Sequence, residues 1–309
     1  AGDIGHLPEW DLTDLYPGTQ SPEIQGDLEK AARDSEAFEA RWKGTLDVLA
    51  REGGLVEPIR QYEALDELLG RLVSYAGLVY SGDTTDPAGA KFYGDVQQKV
   101  TDASSHLLFF TLEMNRIDDA LVEAAMAADA ALAHYRPWLE DLRKEKPYQL
   151  EDRVEQLFHE KSVTGRAAWN RVFDETMASL RFDVNGEMLT LEPTLNLMQD
   201  PDETKRKAAA DALAATFAEN IRLFTLVTNT LAKDKEISDR WRGFQDVAES
   251  RHLANRVEPE VVDALVAAVR AAYPRLSHRY YALKAKWFGK ERLDHWDRNA
   301  PLPKVASRT

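Results

Sequence analysis

A mainly α fold of long antiparallel helices, interrupted by one β-hairpin near residues 180–191, is what this 309-residue sequence predicts. Three observations carry that reading. Apolar side chains recur in steps of three and four through most of the chain, Pro follows a capping residue at four points, and one short stretch alternates with period two around Asn185-Gly186.

The first stripe runs through Ile24, Leu28, Ala31, Ser35, Phe38, Trp42, Leu46 and Leu49, one buried face of a helix. Ser21 before Pro22 opens it, because a hydroxyl can accept from free amides while Pro at the first helical position lacks only an N–H that has no partner there. Asp86-Pro87 repeats the device ahead of Phe92, Val96, Val100, Ala103, Leu107, Phe110 and Met114. Between about Asp118 and Asp183, breaks at Pro137, Pro147 and Gly165 predict shorter helices. Leu180-Arg-Phe182-Asp-Val184 and Glu187-Met-Leu189-Thr-Leu191 then alternate about a type I′ turn, with Phe182 facing Leu189 and Leu180 facing Leu191. Asp200-Pro201, with Glu203 placed for a capping box, opens a stripe of Leu213, Phe217, Ile221, Phe224, Val227 and Leu231. No Gly or Pro interrupts it from there to Ile237, so a single helix of about 35 residues is expected. Glu258-Pro259 opens a further helix.

Composition removes several function classes. The formal charge is −14, from 39 basic and 53 acidic side chains, which repels a phosphate backbone and argues against nucleic-acid binding. Basic residues gather only from Arg275 to Thr309, nine against three acidic. Cysteine is absent, so disulfides, thiolate metal sites and cysteine nucleophiles are excluded. No apolar run approaches the roughly 20 residues of a membrane span, and the opening Ala1-Gly2-Asp3 lacks the basic and apolar stretches of a signal peptide. A cytoplasmic location without a membrane partner is therefore expected. An initial Ala in place of Met fits either removal of Met or a start inside a longer chain.

Spacing offers little chemistry. His159-Glu160 begins a His-Glu-x-x-His zinc motif, but Val163 stands where the second imidazole belongs. Glu249-Ser-Arg-His252 is a single Glu-x-x-His, where carboxylate-bridged metal pairs need two. No Gly-x-Ser-x-Gly elbow and no phosphate-binding glycine loop occurs, and Ser104-Ser105-His106 on one helix cannot face one another as a catalytic pair.

The residues themselves say more than their spacing. Leu7-Pro-Glu-Trp10-Asp-Leu-Thr-Asp-Leu-Tyr16-Pro-Gly18, Asp83-Thr-Thr-Asp86, Phe109-Phe110-Thr-Leu-Glu113, Tyr135-Arg-Pro-Trp138 through Glu160-Lys-Ser-Val-Thr-Gly165, Leu191-Glu-Pro-Thr-Leu195, Leu231-Ala-Lys-Asp-Lys-Glu236, Arg242-Gly-Phe244, Leu283-Lys-Ala-Lys286 and Trp296-Asp-Arg-Asn-Ala-Pro301 occur in this order. Together they resemble the oligoendopeptidase F family of thimet-oligopeptidase-like zinc metallopeptidases, to about Lys304. The tail Lys304-Val-Ala-Ser-Arg-Thr309 departs from the family and reads as a foreign or frameshifted end.

That resemblance implies a helical, two-lobed shell and one zinc, held by His-Glu-x-x-His and a further Glu, that activates water against the carbonyls of oligopeptide substrates. The family's motif lies beyond the Trp296-Asp297 region, so this chain is expected to hold the N-terminal lobe and the start of the catalytic domain, without zinc or activity of its own. The expected division is an N-terminal helical region over 1–117, a family-type helical subdomain over 118–183 and an incomplete catalytic domain over 184–309, whose partner is the missing C-terminal catalytic half. Arg251, His252, Asn255 and Arg256 form a polar break that could hold a peptide's carbonyls or C-terminus, with helix-end capping as the simpler reading. The alternative function is a non-catalytic, all-helical peptide- or protein-binding module.

Overall fold

The structure, a computed structural model, describes residues 10–303. The Leu7-Pro-Glu part of the opening motif and the Lys304–Thr309 tail lie outside them. Helices make up 72% of the described residues and one two-stranded antiparallel hairpin accompanies them, as the sequence predicts. Contacts divide the chain into two compact units, the first running to Ala168 and taking in Trp241–Gly243, the second comprising Trp169–Arg240 and the residues from Phe244 onward.

The first unit contains α1 (Pro22–Trp42), α2 (Leu46–Glu52), α3 (Val56–Gly82), α4 (Pro87–Ser105), α5 (Leu108–Arg116), α6 (Asp119–Ala128), α7 (Ala130–Ala133), α8 (Arg136–Arg143) and α9 (Asp152–Lys161). The α1 stripe is buried as its spacing requires, at Ile24, Leu28, Ala31, Ser35, Phe38 and Trp42. Ser21 accepts from the Ile24 N–H, and Asp86 accepts from the Ala88 and Gly89 N–H groups. α1, α3 and α4 pack on one another. Their core continues into an aromatic cluster in which Phe110 meets Phe38 edge-on at 5.4 Å and stacks on Tyr62 at 4.7 Å. Such pairs add about 0.5–1.5 kcal/mol each beyond their buried area.

Both long stripes are broken by turns that keep the apolar phase. α1 stops at Trp42, whose carbonyl accepts the Thr45 hydroxyl at 2.7 Å, and Gly44 turns the chain at φ +79° before α2. The Pro87 stripe divides at His106-Leu107 into α4 and α5, with Leu107, Phe110 and Met114 still buried.

The second unit carries most of α10 (Arg166–Ser179), then β1 (Phe182–Val184), β2 (Glu187–Leu189), α11 (Leu191–Leu197), α12 (Glu203–Glu219), α13 (Ile221–Arg242, ending in the first unit's segment), α14 (Glu249–Ala254), α15 (Pro259–Ala272) and α16 (Ser277–Trp287). The hairpin has the expected register, Phe182 opposite Leu189, with Asn185 and Gly186 at φ +57° and +92°. Leu191 already belongs to α11, so the expected outer pair with Leu180 lies off the ladder, although both pack on the same small core of Phe182, Val184 and Ala212.

Two expectations are corrected here. The single helix of about 35 residues is two, α12 and α13, because Asn220 takes non-helical dihedrals and turns its side-chain amide back onto the Thr216 carbonyl at 2.9 Å. The first of these opens at Asp202, not at Asp200-Pro201. Asp200 caps the Asp202 N–H, Asp202 caps the Thr204 N–H, and the Arg206 guanidinium draws the Asp200 and Pro201 carbonyls out of the helix at 2.9 Å each.

Candidate functional site

In the second unit, α12 and the chain after α16 bring together a cluster of charges. Arg206 is 1% exposed; it donates to Asp297 Oδ1 at 2.7 Å and to the Trp296 carbonyl at 3.2 Å. Lys290 Nζ reaches Asp297 Oδ2 at 2.6 Å, Asp294 at 3.0 Å and Glu203. Burial alone would raise the Asp297 carboxyl, but hydrogen bonds from Lys290 and Arg206 outweigh it and hold the group below the usual carboxylate range. For Lys290 burial works against the charge and the three carboxylates reverse it, so its ammonium titrates well above an ordinary lysine. Lys284, 2% exposed, donates to the Arg298 and Ala300 carbonyls at 2.9 and 2.7 Å; burial lowers its pKa.

Glu203, Asp294 and Asp297 are also the one trio of carboxylate or imidazole groups among the described residues close enough to share a cation. They do not fit a zinc ion, because the Lys290 ammonium already serves all three and no imidazole joins them.

The four residues read from sequence as a peptide contact end α14. Asn255 is its C-cap and Arg256 follows in the left-handed region at φ +53°. The Arg256 N–H donates to the Leu253 carbonyl and the Val257 N–H to the His252 carbonyl, both at 3.1 Å. These two bonds close a Schellman turn. The Arg256 guanidinium adds a bond to the Leu253 carbonyl at 2.9 Å. Arg251 and His252 lie in the last turn, where cations offset the helix dipole. Capping thus accounts for the backbone here, while the Arg251 and Asn255 side chains stay exposed.

The first unit pairs groups that are far apart in sequence. Ser104 Oγ and His159 Nε2 lie 2.8 Å apart, and the same hydroxyl is 3.1 Å from the Thr101 carbonyl. Its single proton serves that carbonyl when the imidazole donates, so the pair ties α4 to α9. His106 Nδ1 meets Glu39 at 2.6 Å. Glu155, 8% exposed, forms a two-pronged pair with Arg242 at 2.7 and 2.8 Å and accepts from the Leu150 N–H. Here too burial would raise the carboxyl, and the bonds from Arg242 and Leu150 hold it below its usual range.

Between the end of α5 and the start of α9 lies a recess of 520 Å³ walled by Asn115, Arg116, Lys146, Gln149, Glu151 and Asp152. A second, of 310 Å³, shares Asp152 and is lined by Leu108, Phe109 and Leu112 together with charged side chains such as Glu39, Lys43 and Glu160. Sequence reading passes over Asn115 and Gln149 because neither falls in a spaced motif. Their relation depends on the 3-10 turn Lys146–Tyr148, for which Pro147 is the one local signal.

Comparison with known proteins gives first the class. Residues 113–182 match the family model described as Oligopeptidase F. The whole chain then finds particular relatives. It is 26% identical to the oligopeptidase PepF of Bacillus subtilis (strain 168) and 24% identical to the group B oligopeptidase PepB of Streptococcus agalactiae, each over 96% of this chain, but over only 44% and 49% of those proteins. The chain spans about half the length of these relatives. Its fold is similar to that of the oligoendopeptidase-F of Enterococcus faecium, with a TM-score of 0.79, 21% identity, and 90% of this chain covering 56% of that one. The resemblance to the oligoendopeptidase F family therefore extends over nearly all of the chain.

Proposed function

We propose that the chain is the N-terminal portion of an oligoendopeptidase F-like zinc metalloendopeptidase, which hydrolyses internal bonds of short peptides in the cytoplasm. One observation carries this reading: similarity across 96% of the chain to two oligopeptidases about twice as long. The zinc and its His-Glu-x-x-His ligands then belong to the C-terminal catalytic half, which is the chain's partner, and the isolated chain is inactive. In this reading 1–117 is the N-terminal helical region, 118–183 the family-type subdomain, supported by the match over 113–182, and 184–309 the incomplete start of the catalytic domain. Arg251, His252, Asn255 and Arg256 serve as an outlying peptide contact, supported by the exposed cation and amide at the end of α14.

The test extends the chain with the sequence that follows Thr309 in its gene. A downstream His-Glu-x-x-His, one zinc per extended chain and chelator-sensitive cleavage of a quenched fluorescent peptide are expected, with neither zinc nor turnover in the 309-residue chain. Tightly held zinc or chelator-sensitive cleavage by the 309-residue chain, or a downstream frame without the motif, rejects the reading.

A further inference from the structure

We propose that α15 is the interface for a second copy of this chain, the two helices pairing antiparallel about a twofold axis. With all the described residues in place, no side chain of α15 is buried. An isolated helix shorter than about 12–15 residues is marginal in water, and this one has 14, so its order calls for apolar cover. The face to be covered is continuous. Val262, Leu265, Val269 and Tyr273 advance in steps of three and four along one side, the spacing of a helix that packs on another helix. Leu265, Val269 and Tyr273 are exposed.

The charges along α15 say what covers it. Glu258, Glu260 and Asp263 lie at its start, and Arg270 and Arg275 at and just past its end. All five are exposed, and none forms an ion pair or side-chain hydrogen bond with another described residue. A parallel copy would set like charges side by side. An antiparallel copy sets the acidic start against the basic end, and one register serves two pairs, because Asp263 with Arg270 and Glu258 with Arg275 share a midpoint between Val266 and Ala267. Asp263 and Arg270 stand seven residues apart, close to two full turns, so they lie on the same flank of the apolar stripe. A twofold axis perpendicular to both helices keeps that flank on one side, and the Asp263–Arg270 pair therefore forms twice. Fourteen residues make a seam only about 21 Å long. That is short for the roughly 1,200–2,000 Å² buried in a stable complex, so the dimer is weak and forms with rising concentration. The inference stands on α15 alone and does not rest on the peptidase reading.

The experiment is sedimentation of the 309-residue chain over a concentration series, for the parent, for Asp263→Arg, for Arg270→Asp and for an equimolar mixture of the two variants. The parent should form dimers and no larger species. Each single reversal should weaken the dimer about tenfold, because two exposed ion pairs become two like-charge contacts. The mixture should regain the parent's association, since each reversed side chain then meets its opposite in the other variant. The chain has no cysteine, so an introduced thiol reads the direction of pairing and decides the matter if a reversal lowers helix content. Val266→Cys, beside the axis, should give a disulfide-linked dimer on mild oxidation. Val261→Cys should not, because the two copies of that position lie about 16 Å apart along an antiparallel pair. A monomer at every concentration, association unmoved by the reversals, a mixture no stronger than its parts, or linkage through position 261 overturns the proposal. Loss of the dimer when the chain is extended past Thr309 overturns it too, and gives the face to the added segment. Neither zinc nor turnover is read, so each of these outcomes leaves the peptidase reading as it stands.

Discussion

Replacing Asp297 by Asn keeps its shape and removes its charge, leaving Arg206 buried with its counter-ion gone. Loss of one member of a buried pair costs about 3–5 kcal/mol, so Asp297→Asn should lower stability by that order in denaturant titrations. The pH dependence has a definite sign. Because the Asp297 carboxyl lies below its usual range when folded, its contribution is present above about pH 4 and lost as pH falls through the lower, folded value. The parent should therefore lose stability on acidification below pH 4 more steeply than the variant. Lys290, raised when folded, contributes at all pH below about 10.5 and loses its contribution only in strong alkali. Parallel acid limbs for parent and variant would reject this account of the cluster.

At the scale of elements, the hairpin depends on Gly186. No atom lies within 4 Å of an added Cβ, so the cost of a substitution is conformational alone. Gly186→Val should destabilise by about 1–2 kcal/mol, and Gly186→Asn by less, since Asn enters the left-handed region more readily. An unchanged melting temperature for the Val variant would remove the I′ assignment from the energetics. The converse applies at the end of α14, where a non-glycine residue holds φ +53°. Arg256→Gly should gain about 1 kcal/mol in the melting of the second unit, and a loss would mean that the guanidinium bond to Leu253 matters more than the strain. Ser21-Pro22, Asp86-Pro87, the α1 stripe and Asn185-Gly186 were legible in the sequence because each is a local rule whose partners lie within a few residues. Asn220 and Asp202 were not, because they redirect backbone bonds through a side chain and, at Asp200, through Arg206. The charge cluster joins Arg206 to Asp297, 91 residues apart, and the recess joins Asn115 to Gln149. No periodicity carries such pairings.

The two units differ as whole bodies in how much they bury. The first has a core running from Tyr16 to Leu139, whereas the second centres on Phe182, Val184 and Ala212. Nothing in α15 is buried, and Leu265 (63% exposed), Val269, Tyr273, Tyr280 and Trp287 remain uncovered. Each 100 Å² of apolar surface left in water forgoes about 2.5 kcal/mol, and uncovered apolar patches promote association. Amide exchange should therefore be faster in α15 and α16 than in α1 and α3, and the chain should bind an apolar dye and sediment above 34.9 kDa. Leu265→Lys with Val269→Lys should reduce both dye binding and association. A monodisperse 34.9 kDa species without dye binding would show that the face is not sticky. The same face bears on how the protein behaves during purification. At −14 the molecules repel one another in dilute buffer, and salt both screens that repulsion and strengthens apolar contact. The chain should adhere to a phenyl resin at modest ammonium sulfate and elute as salt is withdrawn, whereas the double lysine variant should pass through.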